Sequence, residues 1–206
     1  MTSVSQERNY KLAITGAFSA LSVVLGVTRL GYISLSPVIS FTIMHVPVIL
    51  ATLLAGLIPG LGTALVFGLT SLIQAAVNPT GVLDPFFQNP FISILPRLLI
   101  PIVTWAVQQA LSMIPKFPKI VGGGIAAAFG SCANSFFVAV ALFFITSKKF
   151  QEAFPDWGFK ALLAAFFIPG GFIEAAASVI ICVAVLSGIW IAKNSKKSKL
   201  SKEEDK

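Results

Sequence analysis

From Leu30 to Leu83 the chain carries no Lys, Arg, Asp or Glu for 54 consecutive residues, and its only histidine, His45, lies within that run. About 20 apolar residues already cross the hydrocarbon core of a bilayer, so the run is too long for one helix. Gly56-Leu57-Ile58-Pro59-Gly60 interrupts it with residues that stop helices and make turns. The reading that follows is two crossings joined by a very tight connection. Only 11% of the residues are charged, against about 25% in a soluble domain. The mean hydropathy of +0.88 agrees.

Charges divide the remainder. Leu12 to Thr28, Val38 to Leu57, Leu61 to Val77, Phe91 to Ile114, Ile120 to Ser147 and Ala161 to Ala192 read as six spans. The fourth carries Arg97 near its start, the sixth carries Glu174, and Pro169-Gly170-Gly171 predicts a bend in the sixth. The expected fold is all-α, a six-transmembrane-helix bundle over residues 11–192. A short N-terminal segment (1–10) precedes it, and a polar tail (193–206) without fixed structure follows. A cleaved signal peptide fits less well, because further spans come at once and no small-x-small site precedes a soluble domain.

An even number of crossings puts both termini on one side. Arg8, Lys11, Lys116, Lys119 and the tail residues Lys193, Lys196, Lys197, Lys199, Lys202 and Lys206 give that side ten of the fifteen basic residues. Arg29, Arg97, Lys148, Lys149 and Lys160 fall on the other. The positive-inside rule makes both termini cytoplasmic. The pI near 9.7 therefore reports topology, and no nucleic-acid partner is expected. Cys132 and Cys182 sit in apolar runs without metal-ligand or CxxC spacing, which suits small buried hydrophobes.

Several chemistries lack their residues. No GxxxxGK[ST] phosphate cradle is present, and Gly122-Gly123-Gly124 opens an apolar helix, which suits helix packing. An intramembrane serine protease needs a serine on a Gly-rich turn with a His base. Ser71 and Ser131 lack that setting, and His45 stands alone. A single His gives no metal site, and neither a cofactor nor catalysis is expected. A pore would need a ring of like polar groups, and the halves show no internal duplication of the kind common in secondary carriers.

The polar residues that remain collect at one depth. The connection Asn78-Pro79-Thr80-Gly81-Val82-Leu83-Asp84-Pro85-Phe86-Phe87-Gln88-Asn89-Pro90 has three prolines and a glycine, so it reads as a rigid folded turn, either a lid or a structural loop held by Asx turns. Arg97, Asn134 and Glu174 fall in the outer parts of the fourth, fifth and sixth spans. An arginine at that depth snorkels, pairs or meets an anionic ligand. One reading is a structural Arg97–Glu174 ion pair. The other is a pocket for a small polar molecule in which Arg97 holds a carboxylate with its planar fork.

Three ordered segments resemble the substrate-binding (S) components of energy-coupling factor (ECF) vitamin transporters, over about Lys11 to Ala192. The first is Ala13-Ile14-Thr15-Gly16-Ala17, matching an Ala-x-x-x-Ala signature. The second comprises His45-Val46-Pro47-Val48-Ile49-Leu50, Ala55 to Gly62 and Phe67 to Ile73. The third, Asn78-Pro79-Thr80-Gly81 through Asp84-Pro85-Phe86-Phe87 to Asn89 and Arg97, is most like the pantothenate-specific members. The resemblance implies a multi-pass protein of the bacterial cell membrane that captures a vitamin, pantothenate first, from outside. It also implies partnership with a transmembrane T subunit and two ABC-type ATPases, with Ala13 and Ala17 on the docking face. Asn89, Arg97, Asn134 and Glu174 are the expected substrate residues. Alternatives are another vitamin or precursor, such as a hydroxymethylpyrimidine or pyridoxine-like compound, or a membrane assembly protein that transports nothing.

Overall fold

The computed structural model describes residues 4–28, 30–34, 40–79, 83–155 and 158–204. Helix dominates, as expected for a chain whose backbone amides and carbonyls must be satisfied without water. α1 (Val4–Val27) leads into two three-residue strands, β1 (Tyr32–Ser34) and β2 (Ser40–Thr42), and then α2 (Val46–Ala55). α3 (Leu57–Val77), the single turns α4 (Asp84–Phe87) and α5 (Pro90–Ser93), α6 (Leu95–Ser112) and α7 (Lys119–Ile145) follow. α8 (Ser147–Ala153), α9 (Phe159–Ala165), a π-helical turn (Phe166–Gly171) and α10 (Phe172–Glu204) complete the chain. Among the described residues, five helical stretches are long and apolar enough to cross a membrane, and Val46–Ala55 is a shorter apolar helix.

The tight connection in the opening run is one residue, Gly56, at φ 94°. L side chains are strained there and glycine is not. Its N–H caps α2 by donating to the Thr52 carbonyl at 2.9 Å. α3 starts at once, so Pro59 occupies its first turn, where a missing N–H has no partner to lose. Where a bend of the last span is expected, the helix is π-helical over Phe166–Gly171, a stretch that contains Pro169, Gly170 and Gly171.

The second span differs from expectation. Helix covers only Val46–Ala55, about 15 Å or half a bilayer core, instead of Val38 to Leu57. Ser40, Phe41 and Thr42 pair antiparallel with Ser34, Ile33 and Tyr32; residues 38 and 39 lie outside the described segments. The cause is visible in the residues. Ile39-Ser40-Phe41-Thr42-Ile43 alternates apolar and polar with period two and is rich in β-branched side chains, a strand pattern hidden inside an uncharged run. The fourth span is also divided, α5 ending at Ser93 and α6 beginning at Leu95. At the C-terminus the helix continues through Lys193 to Glu204 where an unstructured tail was expected.

Contacts between helices give their directions. Thr15 meets Gly62, and Gly26 meets Thr70, so α1 and α3 run parallel. Gly60 meets Pro101, and Gly68 meets Ile94, so α3 and α6 are antiparallel. Gly130 meets Thr104 for α6 and α7, and Gly123 meets Leu186 for α7 and α10, both antiparallel. The Val4 end of α1 and the Glu204 end of α10 therefore lie at the same end of the bundle. Association in lipid depends on close packing instead of hydrophobicity, which explains the small residues along α7. Gly122, Gly123, Gly124, Ala126, Ala127 and Gly130 are all buried, so the glycine triplet is packing surface.

Two clusters fill the interior. One centres on Ile49, Phe67, Ile100 and Cys182. The other gathers Leu83, Ile92, Leu142, Phe150 and Leu162 at the far end from the termini, with the Phe86 and Phe150 rings edge-on at 5.7 Å. Between them α3 approaches the start of α6 very closely. A Cβ on Gly68 would stand 2.9 Å from the Ile94 Cα and 3.1 Å from the Ser93 carbonyl oxygen, and backbone does not yield as a side-chain tip does. Gly68→Ala is expected to destabilise the protein by about 1–3 kcal/mol, read as a lower melting temperature in detergent. An unchanged melting temperature would show that this contact is not tight.

Candidate functional site

Arg97 lies in the first turn of α6 and is 7% exposed. Its Nη1 donates to the Ile92 carbonyl at 2.9 Å, just across the break between α5 and α6. The rings of Phe67 from α3 and Phe87 from α4 stand 5.4 and 5.0 Å from the guanidinium carbon. Both distances fall within the range of a cation–π contact. The connection after α3 thus supplies a ring and a carbonyl to the arginine. Its two turns are tied together as well: the Ser93 hydroxyl donates to the Phe87 carbonyl, and Gln88 Nε2 reaches back to the Ala75 carbonyl at 3.2 Å.

Glu174, in the first turn of α10, is 5% exposed. Its Oε1 accepts from the Thr42 amide at the end of β2 at 2.6 Å, and its Oε2 from the Ser135 hydroxyl on α7 at 3.0 Å. One turn further, the Ser178 hydroxyl donates to the Glu174 carbonyl at 2.8 Å. His45 Nε2 lies 2.8 Å from the Ser178 oxygen, in a hydrogen bond whose direction is set by the ring tautomer. His45 is fully buried and satisfied on this nitrogen. One turn of α10 therefore clasps both ends of the 42–45 segment.

Asn134, on α7 next to Ser135, is 5% exposed, and its Oδ1 has no hydrogen-bond partner among the described residues. With Gly130 against Thr104, antiparallel helices set Asn134 within about one turn, ~5 Å of axial rise, of Arg97. Asn89 is placed differently: half-buried, it caps α5 by accepting from the Phe91 amide at 3.0 Å. This Asx cap is the structural role foreseen for the connection, and it leaves the Asn89 amide nitrogen available. Thr80, Gly81 and Val82 lie outside the described residues.

This end of the bundle gathers a buried cation, a buried carboxylate, and an amide oxygen with no hydrogen-bond partner among the described residues. Thr42, Ser135 and Ser178 had not been singled out from the sequence, and Phe67 and Phe87 only as members of the segments that carry the family resemblance. Glu174 and Ser178, four apart on one helical face, were the available signal. An apolar groove of about 300 Å³ opens nearby between Val103, Phe129, Cys132, Phe136 and Phe167. Phe129 and Phe136 are exposed in it, so it faces lipid. Cys132 is accordingly only half-buried, whereas Cys182 is fully buried; both are free thiols.

On α1 the small residues face outward. Ala13, Gly16, Ala17 and Ala20 are all exposed, and no atom lies within 4 Å of the position a Cβ on Gly16 would take. Only Ser22 and Gly26 of this helix are buried. A stripe of small residues open to the bilayer suits the approach of another helix.

Comparison with known proteins agrees with this picture. Residues 10–186 match the family model described as the substrate-specific component of ECF transporters. The chain is 26% identical over 198 residues to the pantothenic acid transporter PanT of Lactococcus lactis subsp. cremoris (strain MG1363), covering 89% of this chain and 95% of that one. The chain, a multi-pass protein of the cell membrane, belongs to the family of ECF-transporter substrate-specific components.

Proposed function

We propose that this protein captures pantothenate at the outer face of a bacterial cell membrane. Uptake would then be driven by ATP through a T subunit and two ABC-type ATPases. The observation that carries the reading is the buried Arg97, held at the end of the bundle away from the termini within a turn of the unpartnered Asn134 oxygen. The likeness to the lactococcal pantothenic acid transporter supports it.

In this reading α2 and the five long helices make a six-helix bundle with both termini in the cytoplasm, the side richer in lysine. Arg97 takes the vitamin's carboxylate, and Asn134 accepts from an amide N–H or a hydroxyl. The Asn89 amide donates to a ligand oxygen. Glu174 keeps lone pairs beyond those given to Thr42 and Ser135 and accepts from a hydroxyl.

Calorimetry on the detergent-solubilised protein tests the ligand. Pantothenate is expected to bind, and tight binding of a neutral heteroaromatic vitamin in its place would overturn the assignment. Proteoliposomes test the coupling. The chain alone is expected to bind without hydrolysing ATP, and uptake is expected only when the T subunit and both ATPases are present. Robust uptake by the chain alone would make it a secondary carrier.

A further inference from the structure

A threonine in a helix can satisfy its hydroxyl locally, by donating to the carbonyl four residues back. Thr15, Thr28, Thr52, Thr63, Thr70 and Thr146 all do so, at 2.6–3.0 Å. Thr104 does not. It lies fully buried in the middle of α6, and its Oγ1 has no hydrogen-bond partner among the described residues. Its hydroxyl rests against Gly130 of α7, where a Cβ would overlap it. The hydroxyl of Ser131, the next residue of α7, is also fully buried and without a partner among the described residues. Asn134 Oδ1, one turn from Gly130, is in the same state. Buried polar atoms left unsatisfied cost stability, so such a group on adjacent turns of two packed helices calls for an account.

We propose that Thr104, with Ser131 beside it, forms the floor of the vitamin site and binds the terminal hydroxyl of the ligand. The inference rests on the proposed function, in which Arg97 takes the carboxylate. Arg97 and Thr104 are seven apart on α6, so they share a face and stand about 10 Å apart along it. Pantothenate is as long as three extended residues, roughly 10 Å. With its carboxylate at Arg97 and its amide at Asn134, it lies along the α6–α7 seam and brings its CH2OH end to Thr104. Ile49, beside Gly130, and Ile100, one turn from Thr104, belong to the main core. The hydroxyls therefore stand at the edge of that core, and a ligand without a terminal hydroxyl leaves them unpaired.

The test compares pantothenate with the analogue in which CH3 replaces the terminal CH2OH. Calorimetry on the full chain in detergent gives the ratio of the two affinities. The wild type is expected to favour pantothenate by about tenfold. Thr104→Val removes the hydroxyl and keeps the branched shape. It is expected to bind pantothenate about tenfold more weakly, to bind the analogue as the wild type does, and so to erase the preference. The melting temperature of its empty form is expected to hold or rise, because no hydrogen bond within the protein is lost. Thr104→Ser, which returns the hydroxyl, is expected to keep the preference, and Ser131→Ala to reduce it.

A wild type that binds pantothenate and its analogue equally overturns the floor while the proposed function stands. If Thr104→Val weakens both ligands alike, or lowers the melting temperature of the empty protein, the hydroxyl serves a buried water that joins α6 to α7, and the floor is overturned too. An unchanged ratio in Ser131→Ala removes Ser131 from it. If the wild type binds no pantothenate, the proposed function itself falls and this inference with it.

Discussion

Ala17→Trp is expected to abolish reconstituted transport while the isolated protein still binds its ligand. Ala13 and Ala17 are four apart and share one face of α1, and both are exposed. With Gly16 and Ala20 they leave a shallow strip along which, in the proposed assembly, a partner helix would approach closely, and in lipid such packing is what holds helices together. An indole there keeps the partner away. It projects into the bilayer and not into the bundle, so the melting temperature is expected to hold. Ala13→Trp is expected to act alike. The measurements are uptake by proteoliposomes, co-purification with the T subunit, and ligand affinity of the chain alone. Loss of ligand binding with assembly intact would move these alanines from the docking face to the interior.

That Ala13 and Ala17 share one face was legible because spacing on a helix is local: residues four apart are neighbours whatever the rest of the chain does. The same holds for the break at Gly56 and the π-helical turn around Pro169, where glycine and proline act on their own backbone. The β1–β2 hairpin was locally encoded as well. It was overlooked because absence of charge was read as a helical span, although Ser40, Phe41 and Thr42 alternate as a strand does. Arg97, Asn134 and Glu174 were legible as polar residues set in apolar spans, and the structure buries all three. Their partners were not legible. The Thr42–Glu174 and His45–Ser178 bonds join residues more than 130 positions apart, and no periodicity in one chain reports such a pairing. The rings on Arg97 come from α3 and α4; both phenylalanines lie in segments that carry the family resemblance, but no spacing in the sequence pairs either with Arg97.

Arg97→Ala is expected to weaken pantothenate binding about tenfold to a hundredfold, since a hydrogen bond to a charged group contributes roughly 1.5–3 kcal/mol. Arg97→Lys is expected to recover only part of the loss. An ammonium is a point charge, and it reproduces neither the two-pronged grip on a carboxylate nor the flat face presented to Phe67 and Phe87. A structural ion pair with Glu174 makes the opposite prediction. Removing either member of a buried pair strands the other charge and destabilises the fold, whereas removing both relieves it. Affinity and melting temperature are therefore measured for the wild type, Arg97→Ala, Glu174→Ala and the double variant. Under the anchor reading the double variant stays as weak a binder as Arg97→Ala. Glu174→Ala costs stability through the Thr42 and Ser135 hydrogen bonds whether or not Arg97 is present. A double variant that regains both melting temperature and affinity would instead make Arg97 the structural partner of Glu174. The vitamin's carboxylate would then need another cation, and Arg97 is the one basic residue that the described interior buries.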